Sequence, residues 1–443
     1  MNSQFCRKRL PAVAALTIVG LLAAGLPASA SIVDDGEWYM DLYEVPQFHD
    51  EGIDGSGVTI AVIDDAINSD VPALQGADVT VMPDSLCADS DGELLPVDTD
   101  DLELASHGTN IVLKIAGTGE GYPGQDGITG VAPGASVLFY GRGMDILEDC
   151  FTPGTGKKVF SENLVGPAIV DAVDRGARIV SLSFAAGYAG PLEDALAYAI
   201  RHQVIVLAAT SNDTRQESSE TLNLFNGVMG IGSLGPDGEA GTDSDGEPNA
   251  TSFIDVVAPG QDVALQGADG AWDRQRIGSG TSYSTPITAA NLALAMQHNP
   301  GATGNQILQL LLHNTDVDTP HEIYYDTMDY ESGYGSVDTI SLLADDALQY
   351  PDVNPLLTED GTPSPAELTP EVTPSPTPSM SASTAPEATN SPSSTPSASP
   401  IDAGSSGTPG WLWPLIIVAV VLVAGSGIVA VVIASRRGKG TPS

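Results

Sequence analysis

Short, continuous apolar runs alternate with longer amphipathic segments through most of the chain. Buried parallel strands are predicted by the runs at residues 58–63, 136–140, 177–184, 204–209 and 254–258, and an outer strand by the run at 228–234. Helices are predicted where apolar residues recur at helical spacing, at 111–116, 164–175, 192–201, 287–296, 304–313 and 339–348. This alternation predicts an α/β fold of three layers, a mostly parallel central sheet with helices on both faces.

Both ends of the chain depart from this pattern. Residues 1–30 have a basic start, an apolar run and a small-residue site, which is typical of a secretory signal peptide removed before Ser31. Proline, serine and threonine dominate residues 351–410, which predicts a disordered stalk. The uncharged apolar residues 411–434 are long enough to span a membrane as a helix.

These end segments predict where the protein resides. The tail at 435–443 is basic, so it is expected in the cytoplasm, and everything before residue 411 is expected outside the cell. The expected arrangement is a single-pass protein of the cell membrane, held there by its C-terminal helix. Residues 31–56 contain aromatic anchors without a regular pattern and are expected to pack, as an N-terminal extension, on the main domain at 57–350.

The net charge of the chain bears on which class of partner it can bind. The net charge of −42 and the pI near 4.1 argue against nucleic acid as a partner, because phosphate binding needs basic patches.

Cys6 would leave with the signal peptide, so Cys87 and Cys150 remain as a pair in an oxidising compartment and a disulfide is predicted. The alternative is two free buried thiols. Closing the loop would stabilise the fold by about 4 kcal/mol in the chain-entropy model.

Three polar residues occupy positions where α/β sheets place reactive groups. Asp64 ends the first predicted strand, and His107 is predicted to open a helix after a turn. Ser282 follows a glycine and a threonine and leads into the apolar run at 287–296, which predicts a serine at a helix N-terminus. Free N–H groups and the helix dipole there favour a nearby negative oxygen. Alternatively, Ser282 is only a helix N-cap.

Together these residues predict nucleophilic catalysis. A serine hydroxyl needs a base to accept its proton, and His107 is the histidine in a suitable context. Asp64 would hold the imidazole tautomer and stabilise the imidazolium. Asn212, at the end of another predicted strand, would complete an oxyanion hole with the Ser282 N–H.

The motifs at 58–64, 107–109, 257–260 and 280–282, together with the strand leading to Asn212, resemble those of the subtilisin-like serine proteases. The resemblance covers about residues 57–348. It implies a subtilisin-like fold, an Asp64–His107–Ser282 triad with Asn212 as oxyanion donor, and hydrolysis of protein or peptide substrates through an acyl-enzyme. It also implies a substrate-binding edge, formed by Ser183, Phe184 and Ala185, that pairs with the substrate backbone.

Within that family, the architecture resembles the mycosins, membrane-anchored subtilases of type VII secretion systems. The shared features are the signal, the aromatic N-terminal extension, a tyrosine after the serine, the Pro-rich stalk, one C-terminal span and a short basic tail. This resemblance implies membrane proteins of a secretion system as partners.

Several neighbours of the motif residues differ from the family pattern. Asp65 and Ala66 follow Asp64 where Thr or Ser and then Gly are usual, and a second carboxylate there is expected to raise the pKa of one of the two. The other differences are at Val112, Leu113, Thr210, Ser211 and Ser284. They favour the alternative of a catalytically weak or inactive domain that acts as a scaffold in a membrane secretion complex. No cofactor or specific metal site is predicted; calcium is common in the family, but no loop has the spacing of its oxygen ligands.

Overall fold

The structure is a computed structural model. It describes residues 31–143, 149–160, 162–184, 186–188, 190–212, 221–242, 246, 248–249, 254–315 and 331–369. The predicted signal peptide, membrane span and basic tail lie outside these residues, as does the predicted stalk from residue 370 onward. None of the helices in the described residues combines the length and the apolar character needed to cross a membrane.

The strands in the described part of the chain are β1 Thr59–Asp64, β2 Val79–Val81, β3 Ser136–Gly141, β4 Cys150–Thr152, β5 Lys157–Val159, β6 Ile179–Leu182, β7 Ile205–Ala209, β8 Met229–Leu234, β9 Val256–Pro259, β10 Val263–Ala268 and β11 Ala271–Gly278. Seven of them form one sheet, all parallel, in the order β2-β3-β1-β6-β7-β8-β9. Two antiparallel hairpins, β4-β5 and β10-β11, stand outside it. The predicted mostly parallel sheet is therefore confirmed, whereas β2 lies where no strand was predicted.

Helices cover both faces of the sheet, as the alternating pattern predicted. Along β1, Ile60 and Val62 belong to one apolar core and Ala61 and Ile63 to the other, because successive side chains of a strand point to opposite faces. The helices in the described residues are α1 Ile32–Gly36, α2 Trp38–Leu42, α3 Val45–Asp50, α4 Leu102–Ala116, α5 Glu162–Asp174, α6 Pro191–Arg201, α7 Thr281–His298, α8 Gly304–His313, α9 Thr339–Ala344 and α10 Pro365–Leu368. Helices α4, α7 and α8 contribute to the first core, and α5 and α6 to the second.

The N-terminal extension is more regular than its sequence indicated. Residues 32–50 form α1, α2 and α3, which are each five or six residues long. Trp38 Nε1 donates to the Gln261 carbonyl at 3.1 Å, and Tyr39 is fully buried. The first helix lies against β10 so closely that a Cβ on Gly36 would come within 2.3 Å of the Ala264 nitrogen. The extension is thus part of the folded core.

The prediction that a disordered stalk begins at residue 351 is wrong for residues 351–369, which pack on the domain. Asp352 accepts hydrogen bonds from Gln203 at 2.9 Å, Thr303 at 2.6 Å and Asn305 at 3.0 Å. Leu368, in α10, is buried in the second core. The segment is rich in proline and threonine, but it still carries enough apolar and polar anchors to be held in place.

Candidate active site

Asp64 is the last residue of β1, which lies between β3 and β6 in the sheet. Its side chain is 1% exposed. Oδ1 accepts a hydrogen bond from the Asp65 amide at 2.8 Å and lies 2.7 Å from Nδ1 of His107. Oδ2 is buried and has no hydrogen-bond partner among the described residues. The contact between Asp64 Oδ1 and His107 Nδ1 occupies one ring nitrogen of the imidazole and leaves the other, Nε2, available for reaction.

His107 does not open its helix, contrary to the sequence prediction. Helix α4 begins at Leu102, because Asp101 is its N-cap and accepts from the Glu103 amide at 3.0 Å. His107 is therefore in the second turn of the helix. Its side chain is 33% exposed and reaches Asp64. Placement at the end of a strand and on a neighbouring helix brings the two residues together across 43 positions of sequence.

Burial and nearby charge act in opposite directions on His107. Burial disfavours the charged imidazolium, but the charge of Asp64, its hydrogen bond and the charge of Asp65 outweigh this, and Arg142 opposes them in part. The net result is a pKa of His107 above its usual range. A base with this pKa is neutral and able to accept a proton only at correspondingly higher pH.

Ser282 is the second residue of α7 and is partly exposed. Gly280 is the N-cap, so the interpretation of Ser282 as a simple N-cap is wrong. As a first-turn residue, Ser282 has a backbone N–H without an intrahelical acceptor. Ser282 and His107 both lie in the described part of the chain, and no hydrogen bond joins their side chains there. The ring of Tyr283, the next residue, lies 6.1 Å from the His107 ring, centroid to centroid.

Asn212 lies beside the same helix N-terminus. Its Oδ1 accepts from the Thr281 amide at 3.0 Å and from the Thr281 hydroxyl at 3.3 Å. The same hydroxyl donates to the Thr210 carbonyl at 2.6 Å, which ties the end of β7 to the start of α7. With Oδ1 engaged in this way, Nδ2 is the end of the Asn212 amide that remains to donate. Thr281, the residue that Asn212 contacts, directly precedes Ser282.

Of the predicted substrate-binding edge, two residues are described. Ser183 and Phe184 follow β6 and are both buried, and the Phe184 ring lies 5.1 Å below the guanidinium carbon of Arg142. Ala185 lies outside the described residues. Pairing of this edge with a substrate remains a prediction.

Arg142 is a residue of the site that sequence reasoning missed. It is buried and forms an ion pair with Asp65, the second carboxylate after β1. A signal was available, because Arg142 lies two residues after a predicted strand in a chain with only 16 lysines and arginines. Pairing over 77 positions is invisible to local pattern, however.

A disulfide between Cys87 and Cys150, whose Cα atoms are 5.2 Å apart, lies near Arg142, since the Cys87 amide donates to the Arg142 carbonyl at 3.3 Å. It joins the acid-rich loop after β2 to the β4-β5 hairpin. The same loop supplies Ser85 and Leu95, which lie against Gly143 so closely that a Cβ there would meet them at 3.2 and 2.6 Å.

Ligand atoms of Asp64, Asp65 and His107 lie within 4.8 Å of one another, an arrangement that a divalent cation can use. The atoms that would bind the metal already have partners, however. Asp64 Oδ1 contacts His107, and Asp65 Oδ1 contacts the Arg142 guanidinium. A fixed positive charge next to the set opposes a cation. The donor set therefore fits an acid–base pair better than a metal centre.

The family model for subtilases, peptidase S8, matches residues 55–335. The chain belongs to the subtilase family. Among curated relatives, fervidolysin from Fervidobacterium pennivorans is 27% identical to this subtilase over 320 residues, which are 68% of this chain and 42% of fervidolysin. Subtilisin E from Bacillus subtilis (strain 168) is 27% identical over 273 residues, 60% of this chain and 62% of that protein. The match thus spans less than two thirds of either relative.

Solved structures share the fold of this subtilase. The crystal structure of fervidolysin, described as a keratinolytic enzyme related to subtilisin, has a TM-score of 0.52 at 23% identity and covers 72% of this chain and 48% of its own. MycP1 from the ESX-1 type VII secretion system has a TM-score of 0.52 at 20% identity and covers 75% of this chain and 90% of its own. The predicted subtilisin-like α/β fold is confirmed.

Proposed function

We propose that this subtilase is a serine endopeptidase with Asp64, His107 and Ser282 as its triad. The observation that carries the proposal is the 2.7 Å contact between Asp64 Oδ1 and His107 Nδ1. The first turn of α7, which contains Ser282, lies close to this pair, since the Tyr283 ring is 6.1 Å from the His107 ring. Family membership supports hydrolysis of peptide bonds as the reaction class.

In the proposed reaction, Ser282 Oγ attacks the carbonyl carbon of the scissile peptide while His107 Nε2 accepts its proton. Asp64 Oδ1 accepts a hydrogen bond from the Nδ1–H of His107 and stabilises the imidazolium that forms. The oxyanion receives hydrogen bonds from the Ser282 N–H and from Asn212 Nδ2, whose orientation follows from the bond between Oδ1 and Thr281. His107 then protonates the leaving amine, the acyl-enzyme forms, and water releases it by the reverse steps.

For its cellular setting, we propose an extracytoplasmic enzyme anchored by residues 411–434 and associated with membrane proteins of a secretion system. The composition of the chain ends supports the anchor. The shared fold with MycP1 from a type VII secretion system supports the association.

A second candidate is a scaffold that keeps the fold without efficient catalysis. One observation favours it: within the described residues, Asp64 Oδ2 is buried without a hydrogen-bond partner. In the same residues no hydrogen bond joins the side chains of Ser282 and His107, which is compatible with both candidates, because nucleophile–base hydrogen bonds are often long before substrate binds.

A serine-directed fluorophosphonate probe distinguishes the two functions. We expect the full chain to be labelled at Ser282, and Ser282→Ala and His107→Ala to abolish labelling. Ser284→Ala is the matched control, since this buried serine is two residues away and should not affect labelling. Absence of labelling in the folded wild-type chain would contradict the endopeptidase proposal and support the scaffold.

A further inference from the structure

Arg142 is tied to the end of β1 through both its backbone and its side chain. The β1 and β3 strands are in register, with Asp64 opposite Gly141, and the Arg142 amide donates to the Asp64 carbonyl at 2.8 Å. Its guanidinium Nη2 contacts Asp65 Oδ1, and the two side chains are only 3% and 14% exposed. The position of this cation is therefore fixed relative to the Asp64–His107 pair.

Burying the Arg142–Asp65 ion pair costs desolvation free energy, which the structure does not fully offset. Nε and Nη1 of Arg142 are buried and have no hydrogen-bond partner among the described residues. One face of the guanidinium rests on the Phe184 ring, 5.1 Å away. Since buried ion pairs can often be replaced by apolar side chains without loss of stability, stability alone does not account for Arg142.

The chemistry of the neighbouring carboxylate gives a reason. Ligand atoms of Asp65 and His107 lie within 4.8 Å of each other, as do those of Asp64 and His107. A second carboxylate at that distance offers the imidazole a competing acceptor. It also favours the charged imidazole, which cannot act as a base.

We propose that Arg142 is a positioning residue: it holds the Asp65 carboxylate in an ion pair, so that Asp64 alone orients His107 as the base. The proposal rests on the proposed function, because it takes His107 to be the base. The charges of Asp65 and Arg142 act on His107 in opposite directions, as this role requires.

Few other charged groups face the imidazole in the described residues. From α7, the Tyr283 ring lies beside it, and the Arg276 guanidinium on β11 lies beside the Tyr283 hydroxyl. The charges that act on the pKa of His107 itself are those of Asp64, Asp65 and Arg142. Substitutions of Asp65 and Arg142 should therefore shift the pKa of His107 directly.

The test measures the protonation of His107 in the full chain without relying on catalysis. Diethyl pyrocarbonate modifies neutral imidazole, so its rate at His107, followed by mass spectrometry of the His107 peptide across pH, gives the midpoint of titration. Fluorophosphonate labelling of the same samples gives the pH dependence of Ser282 reactivity. The variants are Asp65→Asn, Arg142→Met, Arg142→Lys and the double variant D65N/R142M. Arg175→Met is the control for loss of one positive charge, since Arg175 follows the last residue of α5 and forms an exposed ion pair with Asp171 of that helix.

We expect Asp65→Asn to lower the His107 midpoint and Arg142→Met to raise it, each by about one pH unit. The double variant should return close to the wild-type midpoint and be at least as heat-stable as the wild type. Arg142→Lys keeps the charge and should stay close to wild type, and Arg175→Met should not differ from it. In the active chain, the acid limb of Ser282 labelling should move with the His107 midpoint.

Unchanged His107 midpoints in Asp65→Asn and Arg142→Met would overturn the proposal, as would a shift of the same sign in both. If Arg142→Met does not fold, Asp65→Asn, which is nearly isosteric, still decides. A wild-type chain that takes up no fluorophosphonate, yet shows the opposite midpoint shifts, would refute the peptidase function and leave the electrostatic role of Arg142 intact. The two failures are thus distinguishable.

Discussion

Ser284 offers a sharp test of how polar groups in the central helix contribute to stability. Its side chain is fully buried, and Oγ has no hydrogen-bond partner among the described residues. The hydroxyl occupies space that Gly260 leaves open, since a Cβ on that glycine would lie 2.0 Å from it. An unpaired buried hydroxyl costs about 1–3 kcal/mol. Replacing Ser284 with alanine should therefore stabilise the domain.

The magnitude follows from two opposing contributions. Removing the unpaired hydroxyl returns about 1–3 kcal/mol. If about 15 Å³ then stays empty, the cavity costs about 0.4 kcal/mol. The net gain is therefore about 0.6–2.6 kcal/mol. For a domain of this size, Tm should rise by about 2–4 °C for each kcal/mol gained.

The matched control is Thr288, four residues later on the same helix and equally buried. Its hydroxyl donates to the Ser284 carbonyl at 2.9 Å, so Thr288→Val removes a satisfied group of similar shape and should cost about 1 kcal/mol. Thermal and urea unfolding of the two variants should give shifts of opposite sign. A Ser284→Ala variant that is destabilised as much as Thr288→Val would refute the reasoning, because it would mean that the Ser284 hydroxyl is satisfied in solution.

Three further predictions concern the disulfide, the oxyanion site and the N-terminal extension. Cys87 and Cys150 are 63 positions apart, so replacing both with alanine should cost about 4 kcal/mol, measured by urea denaturation, and an unchanged midpoint would contradict this. Asn212→Ala should lower the rate of peptide hydrolysis about 10²- to 10³-fold, and a loss of less than about tenfold would argue against its oxyanion role. Burial raises the pKa of Glu37 from 4.5 to about 7, although Lys114 opposes this. The native state therefore binds more protons than the unfolded chain between these values, and Tm should fall as pH rises from about 4.5 to 7. Glu37→Gln, which keeps an acceptor for the amide it binds, should flatten that slope, and an equal slope in both chains would contradict the assignment.

The sheet was predictable because its signal is local. The apolar run at 58–63 became β1, Thr59–Asp64, and the apolar segment after Ser282 became most of α7. A buried parallel strand must be apolar on both faces, so the run is visible without any knowledge of its neighbours.

Features that depend on short elements or distant partners were not predictable. Helices α1, α2 and α3 have five or six residues each, too few to show a periodic pattern, and packing on β10 supports them instead. The start of α4 was missed because its first turn follows an acid-rich loop, although Asp101 is a typical N-cap. The end of the domain was missed because average composition hides single anchors such as Asp352 and Leu368.

The candidate site divides in the same way. The strand end at Asp64 and the glycine-led turn before Ser282 carry local signals, and the structure places Asp64 beside His107 and Asn212 beside the turn. The Asp65–Arg142 pair carries no local signal, since it exists only once β1 and β3 are side by side.

Helix α7 carries Ser282 on its first turn and runs through apolar surroundings, with the residues from Tyr283 to Met296 all buried. A helix enclosed on every side cannot shift or fray without opening the interior of the domain. The buried length of α7 therefore ties the end that carries Ser282 to the interior of the domain. If Ser282 is reactive as proposed, loss of that reactivity on heating should coincide with global unfolding of the domain.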